Sequence, residues 1–267
     1  RGSATAAADS LGHSTTAVAR AIRDVEALVG QPLFERRPGR LAPTEIGRCL
    51  VTHAKLVLHE LRYVSEEMVA RSGPLTGRVV IGSMPLSRTL LVPEAIGRLA
   101  RQHPKLNFSI VEGTYSTLLD GLQCGDLDLL VGALRVPAPA KSVREEILFQ
   151  APLSIVVRRG HPLAGRGKVD LKDLASATWV VTRRGTPTHT HFDALFTDAG
   201  LAPPRDIVEC GSLTATRALL LRNDWITIIS RLQIYYEEQF GILEVLPIEL
   251  PGSSRPIGIT LRTDSPP

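Results

Sequence analysis

The sequence predicts an N-terminal α-helical winged helix-turn-helix and a long linker helix, followed by an α/β domain of two lobes. Three observations predict it. Two short helical segments, separated at Gly12, lead into an arginine-bearing hairpin. A long stretch free of Gly and Pro from Arg48 onward carries a heptad-like apolar seam. Beyond Arg78, strand-like and helical runs alternate, the pattern of mostly parallel sheets with helices on both faces.

The elements follow in order. Ser3 to Leu11 is Ala-rich, with Ala7, Ala8 and Leu11 on one helical face, and stops at Gly12, suited to the left-handed conformation after a helix. Ser14 can cap a second helix whose residues Val18, Ile22, Val25 and Leu28 recur at helical spacing before Gly30. Leu33 and Phe34 suit a short strand, and Pro38-Gly39 gives turn chemistry between Arg36-Arg37 and Arg40-Leu41. These elements make up a first domain, residues 1–43. Thr44 then caps a linker helix, residues 44–72, with a seam of Leu50, Ala54, Val57, Leu61, Val64 and Met68 spaced 4, 3, 4, 3 and 4 apart. That 3.5-residue repeat suits a dimerising helix, the alternative being packing on its own domain. Residues 73–77 read as a hinge. Residues 78–267 are long enough for two lobes, one of 78–155 with 256–267 and one of 156–255.

Composition sets limits. The 267 residues are 43% hydrophobic and 22% charged, ordinary for a globular protein, and no apolar run approaches the roughly 20 residues of a membrane span. No membrane partner is therefore expected. Cys49, Cys124 and Cys210 are widely spaced and form no CxxC pair, so a reducing cytoplasm is expected rather than a disulfide framework or a cysteine-based zinc site. No export signal opens the chain. The net charge of +4 divides evenly, +2 in residues 1–77 and +2 in the rest, so charge alone does not single out a nucleic-acid-binding domain.

Arrangement does single one out. Helix, turn, second helix and basic wing suit a DNA major groove. Thr15 and Thr16, in the first turn of the second helix, can meet base edges or phosphate, and Arg20 can fork onto guanine or phosphate. Arg23, Arg36, Arg37 and Arg40 suit phosphates, which position without reading sequence, although any one of them alone also reads as a solvated surface charge. In a two-lobed α/β fold a small ligand sits between lobes at the carboxyl ends of strands. The loops there offer Ser83, Met84, Thr114, Tyr115, Ser116 and Arg135 from the first lobe, and Thr182, Arg183, Ser212 and Ser230 from the second. Each hydroxyl taken alone reads somewhat better as a helix cap. Arg135, Arg183 or Arg184 can receive a carboxylate, and Tyr115 can stack on a ring or sugar face.

The chain resembles the LysR-type transcriptional regulators along nearly its whole length. The resemblance rests on Gly2-Ser3, Ala7-Ala8 and Leu11-Gly12, on Ala17-Val18 with Ile22, Glu26 and Gly30, and on Pro32 to Arg36 with Thr44 and Gly47. Downstream, Gly125 to Leu129 and His161 to Ala164 match landmarks of the family's effector domain in the expected order. Thr16 and Ala19 depart from the Pro and Ser that members often carry. The resemblance implies a periplasmic-binding-protein-like effector domain and homotetramers built from dimers joined through linker helices. Double-stranded operator DNA and a small-molecule effector are the implied partners. It also implies that the chain starts about where the family's second helix starts, its usual first helix missing, and ends before the usual last helix. The stretch from Arg88 to Arg135 further resembles a subgroup associated with sugar or galactose-binding-protein regulation, which implies a sugar or sugar acid as effector, with an aromatic carboxylate as the alternative.

Enzyme signatures are lacking: there is no GxSxG, P-loop, HExxH or complete GxGxxG. Neither catalysis, a cofactor nor a metal is expected, since Thr188 to His191 offers only a pair of imidazoles and reads as a polar helix start. The competing reading is a solute-binding protein with no DNA role. It gives no use to Arg36, Arg37 or the heptad seam.

Overall fold

The computed structural model describes residues 3–37, 40–70, 75–135 and 137–263. Contacts divide the chain into two units, residues 1–73 with 123–126 and residues 74–122 with 127–267.

In the first unit, α1 (Ala4–Leu11) starts where the Ser3 hydroxyl accepts from the Ala6 N–H at 3.1 Å and ends at Gly12, φ 66°. Helix α2 (Thr15–Val29) repeats the device, with Ser14 accepting from Ala17 at 3.1 Å and Gly30 at φ 75°. Each serine cap stabilises by about 1 kcal/mol, and the left-handed glycine turns the chain without a Cβ clash. Strands β1 (Phe34–Arg37) and β2 (Arg40–Pro43) pair antiparallel, Phe34 opposite Pro43 and Arg37 opposite Arg40. The expected Pro38-Gly39 turn lies outside the described residues. The Glu26 carboxylate accepts from the N–H of Leu33 at 2.7 Å and of Phe34 at 3.4 Å, tying α2 to the base of this wing.

Thr44 joins the wing to the long helix α3 (Glu45–Ala70): its hydroxyl donates to the Pro32 carbonyl at 2.8 Å and accepts from the Gly47 N–H at 3.0 Å. A Cβ on Gly47 would collide with the Leu33 carbonyl oxygen, so only glycine lets α3 approach the wing this closely. Residues 71–74, the end of the expected linker and the start of the expected hinge, lie outside the described residues.

The second unit holds two five-stranded sheets. Its chain order is β3 (Gly77–Ser83), α4 (Pro85–Arg88), α5 (Leu91–Gln102), β4 (Leu106–Glu112), α6 (Tyr115–Gln123), β5 (Leu129–Ala133), β6 (Val143–Ala151) and β7 (Leu153–Arg158). There follow α7 (Leu171–Leu174), β8 (Trp179–Val181), α8 (Pro187–Asp198), β9 (Ile207–Glu209), α9 (Leu213–Arg222), β10 (Ile226–Ser230), a 3₁₀ turn at Arg231–Ile234, α10 (Tyr235–Gln239), β11 (Leu243–Val245) and β12 (Arg255–Arg262). The first sheet runs β4-β3-β5-β12-β6, the second β11-β7-β10-β8-β9.

The expectation of mostly parallel sheets needs correction. Only β4-β3-β5 and β10-β8-β9 are parallel, while β12 and β6 in the first sheet and β7 and β11 in the second pair antiparallel. Parallel neighbours need a crossover helix, and β6 passes straight into β7 with Pro152 alone between them. The chain therefore changes sheets at Pro152, and Leu153 to Ile155, expected in the first lobe, belong to the second. It returns as β12, where the register shifts at Ile257/Gly258 and a Cβ on Gly258 would collide with the Glu146 carbonyl.

Each lobe has its own core. In the second, Trp179 is fully buried with Phe192 and Phe196, ring centroids 5.0 and 5.7 Å away, and its indole N–H donates to the Leu174 carbonyl at 3.0 Å. In the first, Leu118, Leu122, Leu127 and Leu130 pack under Val80. Both cores fix helix N-termini at the carboxyl ends of the parallel strands.

Candidate functional site

The first unit presents a polar face. Thr15, Thr16, Arg20 and Arg23 are exposed on α2, and the Arg20 guanidinium pairs with Asp24 at 3.8 Å. In the wing, Arg36 and Arg37 are exposed and Arg37 bonds Glu35, its Nε 2.8 Å from Oε1. The Arg40 side chain lies outside the described part. The same carboxylate that leaves Arg37 partly neutralised also holds its guanidinium at the strand's edge. On α3, Ala54, Val57, Leu61, Val64 and Met68 are exposed and Leu50 is half-buried, so one apolar stripe runs the length of the helix.

In the second unit, helix starts gather at strand ends. Thr114 precedes α6, its hydroxyl 2.9 Å from that of Thr117 and 3.1 Å from that of Ser116. Tyr115 lies half-buried under the Arg135 guanidinium, 4.6 Å from the ring centroid, and its hydroxyl donates to Glu145 at 3.3 Å. Burial and the Glu145 charge push the phenol up to about 12. The Arg135 N–H donates to both Glu145 oxygens at 3.1 Å. In the second lobe, the Thr182 and Thr186 hydroxyls are 2.7 Å apart, with Thr186 capping α8, and His189 holds the Thr182 carbonyl through Nδ1 at 2.6 Å. Arg183 is exposed.

A cleft of about 570 Å³ opens between α4 and the N-terminus of α9, where Ser212 caps the helix through Ala215 at 3.3 Å. Its walls carry two ion pairs, Arg88 with Glu112 from the first lobe and Arg217 with Glu237 at 2.8 Å from the second. Arg217 also donates to the Gln233 carbonyl at 2.5 Å, and the Thr89 hydroxyl approaches that carbonyl at 3.4 Å, linking the lobes.

Two family models match the chain: that of the bacterial regulatory helix-turn-helix proteins of the lysR family over residues 1–48, and that of the LysR substrate binding domain over residues 72–267. The chain belongs to the LysR family. It is 36% identical over 252 residues to the HTH-type transcriptional regulator GalR of Pseudomonas putida, covering 94% of this chain and 63% of that protein, less than two thirds of its length. It is 29% identical over 261 residues to the regulator GbpR of Azospirillum brasilense, covering 97% and 76%. The structure of a full-length OxyR variant from Pseudomonas aeruginosa shares the fold with a TM-score of 0.75 at 22% identity, over 98% of this chain and 84% of that one.

Within this LysR-family chain the ten residues expected to face an effector separate into groups. Thr114, Ser116, Arg183 and Ser212 are exposed or half-buried, as are Tyr115, Arg135 and Thr182. Ser83 and Ser230 are buried instead of open to a ligand. Ser83 bonds the Ser87 hydroxyl at 2.9 Å, and Ser230 closes β10 with its N–H on Gln233 at 3.3 Å. Met84 packs on the first core and against Gly132, where a Cβ would meet its sulfur at 2.5 Å. Residues not expected from the sequence are Glu145, which binds Tyr115 and the Arg135 main chain, and Arg255, which donates from the start of β12 to the Thr188 hydroxyl at 3.3 Å. No local pattern marks them, because they reach the site through antiparallel strands that sequence periodicity did not reveal. Among the described residues no group of three or more His, Cys, Asp and Glu is arranged to hold a metal, and no helix is long and apolar enough to cross a membrane.

Proposed function

We propose that this protein is a cytoplasmic LysR-type transcription regulator that binds operator DNA through α2 and the wing, and that a small molecule bound between its two α/β lobes modulates that binding. It performs no chemistry on the effector. The observation that carries the reading is one chain holding both an exposed Thr15-Thr16-Arg20-Arg23 helix face beside a basic wing and a two-lobed unit with polar helix starts along its cleft. The exposed stripe on α3 supports dimers joined through that helix and assembled into tetramers. The effector then acts by population shift: it binds one lobe arrangement more tightly and so favours the operator geometry that goes with it.

Salt dependence tests the DNA half. Fluorescence anisotropy with a promoter fragment from beside the protein's own gene should give an affinity whose logarithm falls with log salt at a slope of about −4 to −5, as expected for about five phosphates neutralised by arginine. A slope near zero would leave the solute-binding reading in its place.

A further inference from the structure

Helix α8 ends at Asp198 with no basic residue in its last turn. The carbonyl end of a helix carries partial negative charge, so a carboxylate there is unfavourable and a cation stabilising. No neighbouring side chain supplies that cation. Asp198 is exposed and, unlike Asp193, which lies 3.7 Å from the His189 imidazole, has no ion-pair partner among the described residues. The same holds for Glu249, exposed in the segment after β11. Both carboxylates border a cavity of about 480 Å³ within the second lobe, which shares no lining residue with the cleft between the lobes. Its walls are apolar: Leu171, Leu195 and Ile248 line it and pack on the Trp179 core, which fixes them in place. His191 lines it too, its Nε2 buried without a hydrogen-bond partner. Burial, then the charge of Arg255, opposed by Asp198, holds this imidazole below its ordinary range, so at neutral pH it is uncharged and does not neutralise the carboxylates. Arg255 itself does not line the cavity and bonds Thr188 at the other end of α8.

An apolar chamber of ligand size, with two carboxylates and the negative end of a helix at its rim, is complementary to a cation that carries an apolar body. We propose that this cavity is a second ligand site, separate from the cleft, and that it takes a small organic amine whose ammonium group meets Asp198 and Glu249 while its apolar body packs on Leu171, Leu195 and Ile248. Burial of that body removes apolar surface from water, and the ammonium offsets the unpaired negative charge. The apolar walls set this occupant apart from a metal ion, for which no group of three or more His, Cys, Asp and Glu is arranged among the described residues. Because the two sites share no lining residue, the effector reading of the cleft stands or falls apart from this one.

Saturation-transfer NMR titration of the intact protein with phenethylamine and hexylamine, against 2-phenylethanol, 1-hexanol and methylamine at constant ionic strength, tests this. At least one of the two amines should bind the wild type about 10-fold or more tighter than its alcohol and than methylamine. The double variant D198N/E249Q should weaken that amine about 10- to 100-fold, the loss expected for hydrogen bonds to charged groups, and leave the alcohols unchanged. Both positions are exposed, so the variant should melt as the wild type does. Equal behaviour of wild type and D198N/E249Q towards both amines, absence of binding included, overturns the proposal. So does an alcohol that matches its amine, which removes the carboxylates from the site, or methylamine that matches both amines, which leaves a surface attraction between charges and no use for the apolar walls. Should the double variant fail to fold, D198N alone carries the test: a several-fold loss of amine affinity is expected, and an unchanged affinity overturns the site.

Discussion

Arg20 stands on the open face of α2 with its side chain 79% exposed, paired with Asp24 at 3.8 Å. An exposed pair of this kind contributes little to stability, so Arg20→Ala should leave the melting temperature almost unchanged. If Arg20 forks onto a base it should instead weaken operator binding by about 1 to 3 kcal/mol and relax preference at one position. Anisotropy against operator variants separates these effects, and unchanged affinity and preference would remove Arg20 from the reading face. His191 makes a prediction in pH. Burial, then Arg255, lowers its folded-state value below the ordinary 6.5, so the unfolded chain takes up the proton first as pH falls. Its contribution is fully present above pH 6.5 and declines on acidification below that. Denaturation midpoints across this range should therefore fall less steeply for His191→Gln than for wild type; parallel curves would assign the acid sensitivity to another group.

At the scale of elements, α3 exposes Val57 at 59%, Leu61 at 63% and Met68 at 68%, an apolar stripe open to solvent at these positions. Leu61→Glu should leave helicity intact, because the side chain is exposed within its own chain. It should weaken the dimer by about 3 kcal/mol or more, roughly 100-fold, because two carboxylates would enter an apolar seam. A variant that sediments as wild type does would return the helix to packing within one chain. This stripe was legible in the sequence because a heptad needs only local spacing, and so were the glycine ends of α1 and α2 and the Ser14 cap of α2, which act through neighbouring residues. The antiparallel strands β6, β7, β11 and β12 were not legible as a pattern. Their pairing depends on where the chain crosses between sheets at Pro152 and returns at Arg255, which no periodicity reports. The cleft residues divided the same way. Thr114 and Ser212 follow from helix-start chemistry, whereas Arg255 is brought to Thr188 from 67 positions along the chain, and Ser83 turned inward because Ser87, one helical turn on, offered a buried hydroxyl.

For the molecule as a whole, an effector that changes operator affinity must have its own affinity changed by operator in the same proportion, whatever path joins the two sites. Such couplings run to about 1 to 3 kcal/mol, a factor of about 5 to 150. Calorimetry should therefore find a small-molecule effector of the cleft bound tighter or weaker by that factor when the protein is saturated with operator. Anisotropy with the effector saturating should return the same factor for DNA. An effector at about 100 times its Kd should also raise stability by about 2.7 kcal/mol, which sets the melting shift used to find it among sugars, sugar acids and aromatic carboxylates. Two equal factors, both different from one, make the DNA face and the cleft parts of one switch. If both factors equal one while both ligands bind, the cleft serves a purpose other than control of the operator, and the population-shift account of this protein falls.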